Sequence, residues 1–135
     1  MAIQETSDLN GHYQVVYQTQ APQIPGFPWY DHTQGSIAII DGKLRGTDIG
    51  GATWYGDINL NANNDEIEFV VNVDPNSAPA GTFLLDIQGR PCRIEQTYSG
   101  NLKILKIGEN LTIYGTVIHG CVSIEITMKR IQHGT

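Results

Sequence analysis

Ile40-Asp41-Gly42-Lys43-Leu44-Arg45-Gly46-Thr47-Asp48-Ile49-Gly50-Gly51-Ala52-Thr53-Trp54-Tyr55-Gly56-Asp57-Ile58 decides the fold of this chain. Asp41-Gly42 lies between two β-type runs and predicts a type I′ hairpin turn, which needs φ > 0 at both central residues. Gly50-Gly51 predicts a second turn. Beyond it, Trp54, Gly56, Ile58 and Leu60 share one face of an extended segment. The stretch reads as strand, tight turn, short strand, glycine turn, longer strand. That is an antiparallel meander, and it declares no chemistry.

Outward from this stretch the same pattern continues. On the N-terminal side, residues 11–19 alternate, with Tyr13, Val15 and Tyr17 on one face and His12, Gln14, Val16 and Gln18 on the other. A second strand is expected over residues 35–40, a third over 43–47 and a fourth over 52–60. The Asn61–Asp65 cluster is turn chemistry. Residues 66–74 give the cleanest alternation. There Ile67, Phe69, Val71 and Val73 face in, Glu66, Glu68, Asn72 and Asp74 face out, and Val70 is the exception. One dry face and one wet face is the mark of an antiparallel sheet. Residues 82–87 are ambiguous between a strand and a helical turn, and Gly89-Arg90-Pro91 breaks them. Further strands are expected over 92–98, 111–118 and 121–131. Ser99-Gly100 is read as a break, leaving 101–107 as a short strand or turn. In the last strand Val122, Ile124, Ile126 and Met128 point inward.

No window of 11 or more residues shows helical periodicity. About eight short strands joined by turns predict a sandwich or a barrel. Sequential hairpins favour the eight-stranded antiparallel up-and-down barrel, lipocalin-like in form, which also removes exposed sheet edges. Such a barrel holds packed side chains or one small ligand. Residues 1–10 are polar and are expected as a disordered tail, with a single barrel domain over 11–132.

The composition agrees with this. The chain has 135 residues and a net charge of −6, with 8 Lys and Arg against 14 Asp and Glu. A chain this long buries roughly 68–70% of the surface its unfolded form exposes, so folding needs neither a metal nor a disulfide. The few basic residues are scattered, which argues against nucleic-acid binding. Cys92 and Cys121 match no zinc or redox spacing and are expected as reduced thiols. No signal-peptide pattern opens the sequence and no apolar run approaches a membrane span. A cytoplasmic protein without a cofactor is the default expectation.

The search for chemistry yields little that is catalytic. The acids form no evident pair with a base. His119-Gly120-Cys121 places a histidine near a thiol, but neighbouring residues at a strand turn rarely reach one another with a third, orienting group. Four dispersed histidines make no metal site. The chain is therefore expected not to be an enzyme. The aromatics carry more. Tyr13, Tyr17, Trp54 and Phe69 alternate with polar residues on separate strands, either as core packing or as walls of a ligand-accepting interior. Asp48 reads either as a turn residue accepting backbone amides or as a polar anchor in that interior.

Between the first two strands lies Gln20-Ala21-Pro22-Gln23-Ile24-Pro25-Gly26-Phe27-Pro28-Trp29-Tyr30-Asp31-His32-Thr33-Gln34. Its prolines preclude a regular helix or a central strand, and its aromatics must cover something. Trp29 is expected over the barrel mouth beside Tyr17 or Trp54, with loop motion gating access to the interior and Phe27 and Tyr30 against a partner. The competing reading is a fixed plug. Val16, Ile40 and Val70 are apolar on outward-facing positions and are offered as a homodimer surface.

Gly11-His12-Tyr13-Gln14-Val15-Val16-Tyr17 resembles the opening of GrlR-like proteins, negative regulators of type III secretion. Gly35-Ser36-Ile37-Ala38-Ile39-Ile40-Asp41-Gly42-Lys43-Leu44-Arg45-Gly46-Thr47-Asp48, followed by Tyr55-Gly56, is similar to the same family. The match covers residues 11–73 well and the second half loosely. The resemblance implies a lipocalin-like barrel, a homodimer, and an interior that accepts a lipid-like apolar molecule. It further implies inhibition of a transcriptional activator by direct protein contact. In that family an acidic turn after the fourth strand makes the contact. The matching turn here is Asn63-Asn64-Asp65-Glu66, acidic at Asp65 and Glu66.

Overall fold

Asp41 and Gly42 adopt φ of 49° and 83°, the doubly positive turn that their identities require. The structure, a computed structural model, describes residues 3–20, 31–48, 50–76, 78–79 and 84–131. It contains a 3-10 helix (Thr6–Leu9), then β1 (Gly11–Gln20), β2 (Asp31–Ile40), β3 (Lys43–Asp48), β4 (Thr53–Leu60) and β5 (Glu66–Asp74). The two-residue strands β6 (Leu84–Leu85) and β7 (Pro91–Cys92) come next, followed by β8 (Gln96–Ile107), β9 (Asn110–His119) and β10 (Val122–Arg130). Eight strands close into a barrel in the order β1-β10-β9-β8-β5-β4-β3-β2, with β6 and β7 as a separate small hairpin. Every pairing is antiparallel, which is the expected fold class.

The alternation read from sequence is the alternation of the barrel wall. Tyr13, Val15, Ile37, Ile39, Leu44, Ile58, Ile67, Phe69, Val71 and Val73 are all buried, and so are Val122, Ile124, Ile126 and Met128. Burial of this continuous apolar interior is the main force holding the barrel closed.

Three boundaries differ from the sequence reading. Gln96–Ile107 is one unbroken twelve-residue strand, not a strand, a break and a turn. Gly100 continues the pleat opposite Phe69 of β5, so Ser99-Gly100 is no turn. The second strand begins at Asp31 rather than Gly35, because residues 31–34 pair with the end of β1. Residues 3–10, expected as a tail, instead plug one end of the barrel. Leu9 is fully buried and Ile3 nearly so, and the Tyr13 hydroxyl donates to the Leu9 carbonyl at 2.6 Å. Burial pushes the Tyr13 phenol up to about 12, with Arg130 opposing, so it remains a neutral donor. Arg130 donates to the carbonyls of Asp8 and Asn10 and fixes the plug to β10. Polar Thr6, Ser7 and Asp8 hide a plug whose working residues are few.

Among the described residues, no helix is long and apolar enough to cross a membrane. The plugged end carries the β2–β3, β4–β5 and β8–β9 turns. The other end receives the β3–β4 turn, the β9–β10 turn and the long β5–β8 crossover.

Candidate site at the open end of the barrel

The crossover decides the shape of this end. β5 and β8 are neighbours in the wall, yet twenty-one residues separate them in sequence. Within that connection β6 pairs with β7, and Leu84 and Leu85 are half-buried against the core. The Arg93 guanidinium donates to the carbonyls of Pro79, Pro75 and Ala78 at 2.9, 3.0 and 3.1 Å, tying the crossover to itself. The Cys121 amide donates to the Ile87 carbonyl at 2.8 Å and docks it on the β9–β10 turn. Asp86 accepts from the amides of Gln88 and Arg90 and shapes the turn between β6 and β7.

Between crossover and barrel core lies a cavity of about 190 Å³. Val71, Val73, Ile124 and Ile126 wall it from the barrel, and Leu84, Leu85 and Pro91 from the crossover. Tyr17, Trp54 and Tyr98 add aromatic faces, and Thr19 closes the β1 side. No cationic residue is among these walls.

Two polar clusters flank the cavity. In the first, Asp48 is buried at the end of β3. Its Oδ1 accepts from the Ala52 amide at 3.1 Å. Its Oδ2 accepts from the Tyr17 hydroxyl and from Trp54 Nε1, each at 3.0 Å. The aspartate is thus at once the turn acceptor and the anchor of two aromatics. Those rings pack with centroids 5.1 Å apart at 51°. Asp48 does not itself wall the cavity; it sets the side chains that do. In the second cluster, the His119 ring lies 4.5 Å from that of Tyr98. His119 Nε2 and Gln96 Oε1 are 2.8 Å apart. The Gln96 amide nitrogen donates to the Ile94 carbonyl, so its oxygen is the atom left for histidine. Nε2 therefore carries the proton and donates.

Burial pushes the His119 imidazole below its ordinary 6.5, with the Asp86 carboxylate opposing. The folded chain then binds this proton less readily than the unfolded chain. Stability from this group is complete above about 6.5 and falls as pH drops from there toward the lowered folded value. The expected result is a urea midpoint that declines between pH 7.5 and 5.5, and a shallower decline in His119→Gln. Equal pH slopes in the two proteins would sink this assignment.

The residues proposed from sequence distribute unevenly. Tyr17 and Trp54 meet at the cavity, held by Asp48. Tyr13 and Phe69 are fully packed in the core and are not among the cavity walls. Trp29, Phe27 and Tyr30 lie outside the described residues, as does the packing expected of them. Asp65 sits in the β4–β5 turn and Glu66 opens β5, both at the plugged end. There Asn61 accepts from both amides and donates to the Asp65 carboxylate at 2.9 Å. Val16, Ile40 and Val70 are exposed; Ile40 and Val70 stand on one outward row with the charged Lys43 and Asp57 between them, and Val16 lies apart from that row. Val70 pairs with Asp57, which bonds to Lys43, the partner of Ile40, while Val16 pairs with Thr127 and Gln34.

Tyr98, Thr19, Leu84 and Leu85 were not legible as cavity walls. Carrying the two-residue period through Ser99-Gly100 would have put Tyr98, Gly100 and Leu102 on one inward face. Cys92 and Cys121 are free, half-buried thiols. Among the described residues no group of three metal-ligating side chains converges. In comparison with known proteins, no family model, curated protein or solved structure matches the chain.

Proposed function

We propose that this chain is a non-enzymatic binding barrel that takes one small apolar molecule into the open-end cavity. The observation that carries the reading is the cavity itself, apolar on the barrel side and covered by Leu84, Leu85 and Pro91 of the crossover. Well-packed interiors leave few voids larger than a water molecule. A dry cavity of about 150 Å³ accepts benzene, whereas drug-sized ligands need roughly 300 Å³ or more. The occupant that fits is a compact molecule of about eight to ten heavy atoms. The resemblance to GrlR-like proteins adds an expectation of an apolar occupant. The contact with an activator that it also implies would use the turn at the plugged end, away from the cavity.

Titration of the ¹⁵N-labelled protein with isopropylbenzene tests this. Saturable shifts are expected at the Trp54 indole N–H and at residues around Val73 and Ile126. Val73→Phe, which puts a ring into the cavity, is expected to weaken binding at least about tenfold. Absence of saturable shifts in the unsubstituted protein would overturn the reading.

A further inference from the structure

The cavity is apolar, yet two hydroxyls border it. Tyr98 and Thr19 both line it, and each is only 8% exposed. Neither hydroxyl has a hydrogen-bond partner among the described residues. Among those residues, no fully enclosed side-chain nitrogen or oxygen is left without a partner. The two hydroxyls must therefore open onto free space. Tyr98 is nearly buried and borders the cavity, and we take the cavity to be that space. An O–H facing apolar walls without an acceptor is unfavourable. The site is thus better completed by an occupant carrying an acceptor than by a pure hydrocarbon.

The surroundings set the charge of that occupant. Burial raises the Tyr98 phenol, and Cys92 and then Asp48 push it the same way, so it is an O–H donor at neutral pH. Among the described residues no cavity wall is cationic, and the Arg93 guanidinium is engaged by three backbone carbonyls. An anionic head group would meet no counter-charge here and would lie near the Asp48 carboxylate. A cationic amine offers the phenol no acceptor, and the Asp48 oxygens already accept from Ala52, Tyr17 and Trp54.

Resting on the reading that the cavity binds a small apolar molecule, we propose that its ligand is a neutral carbonyl compound, an aryl or short-alkyl ketone whose oxygen accepts a hydrogen bond from Tyr98 Oη. The aromatic faces of Tyr17 and Trp54 take the hydrocarbon part, and Tyr98 selects the oxygen.

The test compares acetophenone, its isostere α-methylstyrene and benzoate by chemical-shift titration, in the unsubstituted protein and in Tyr98→Phe. This substitution removes only an unpaired oxygen and keeps the ring beside His119, so the fold is retained. Acetophenone is expected to bind about five- to tenfold more tightly than α-methylstyrene, the value of one hydrogen bond. Benzoate is expected to bind most weakly. In Tyr98→Phe the ketone should lose its advantage while α-methylstyrene keeps its affinity within about twofold. Equal affinities for ketone and alkene in the unsubstituted protein would overturn the proposal and leave the binding cavity standing. An advantage that survives Tyr98→Phe, or tighter binding of benzoate, would also overturn it. Failure of all three to bind would overturn the cavity reading as well.

Discussion

Replacement of Gly56 by alanine is expected to cost about 3 kcal/mol or more, near or above the top of the usual range for overpacking. A β-carbon on Gly56 would lie 2.0 Å from the Val70 carbonyl oxygen and 2.7 Å from Val71 Cα. Both are backbone atoms of β5, and they cannot swing aside as the end of a side chain can. Accommodation means moving β5 and loosening the pairs Gly56↔Val71 and Asp57↔Val70. The site is one of a diagonal series. Gly46 would meet the Ser36 carbonyl at 2.2 Å, and Gly35 the Thr47 carbonyl at 2.8 Å. Each of these glycines sits one pleat away from the partner of the next. Together they allow close backbone approach of β2 to β3 and of β4 to β5, a recurrent use of strand glycine. The control is Gly100→Ala, whose added carbon would be no nearer than 3.5 Å to Val117. It is expected to change stability by less than about 1 kcal/mol. Urea unfolding of both variants decides the matter. If Gly56→Ala loses no more than Gly100→Ala, the close approach does not govern stability.

Loss of the Asp48 carboxylate has the second-largest expected effect. Asp48→Ala removes the carboxylate that accepts from the Tyr17 hydroxyl, Trp54 Nε1 and the Ala52 amide. Each unsatisfied buried donor costs about 1–3 kcal/mol, but the three share one site and water at the open end relieves part of the loss. A net cost of about 2–4 kcal/mol is expected. Asp48→Asn keeps one acceptor oxygen and should lose less. The Trp54 indole N–H resonance provides a local readout. It should move in both variants and broaden in Asp48→Ala, since the ring loses the bond that sets its angle. An Asp48→Ala protein within about 0.5 kcal/mol of the parent, with an unmoved indole signal, would refute the anchoring role.

The two halves of this molecule were unequally legible. In residues 35–74 strands follow each other through tight turns, so the partner of each strand is its sequence neighbour. Local signals then suffice: Asp41-Gly42 for the turn, the two-residue period for the faces, Asp48 beside a glycine pair for a buried acceptor. In residues 75–107 they do not. The Asn101–Ile107 segment and Cys92–Tyr98 looked separate because Ser99-Gly100 has turn composition. The same dipeptide is compatible with a continuous strand once β5 lies alongside and pairs with it. The 3-10 helix likewise becomes a plug only when a barrel end is there to receive Leu9.

The inward and outward faces of the strands, the type I′ turn and the antiparallel class were readable from consecutive residues, because side-chain period and turn dihedrals are local properties. Packing between distant segments settled that β5 pairs with β8 across the crossover, that Leu84 and Leu85 cover the open end, and that Tyr98 lines a cavity there. Those facts depend on which distant backbone satisfies a strand's hydrogen bonds and on what space remains when the walls close, and no local pattern of residues encodes either.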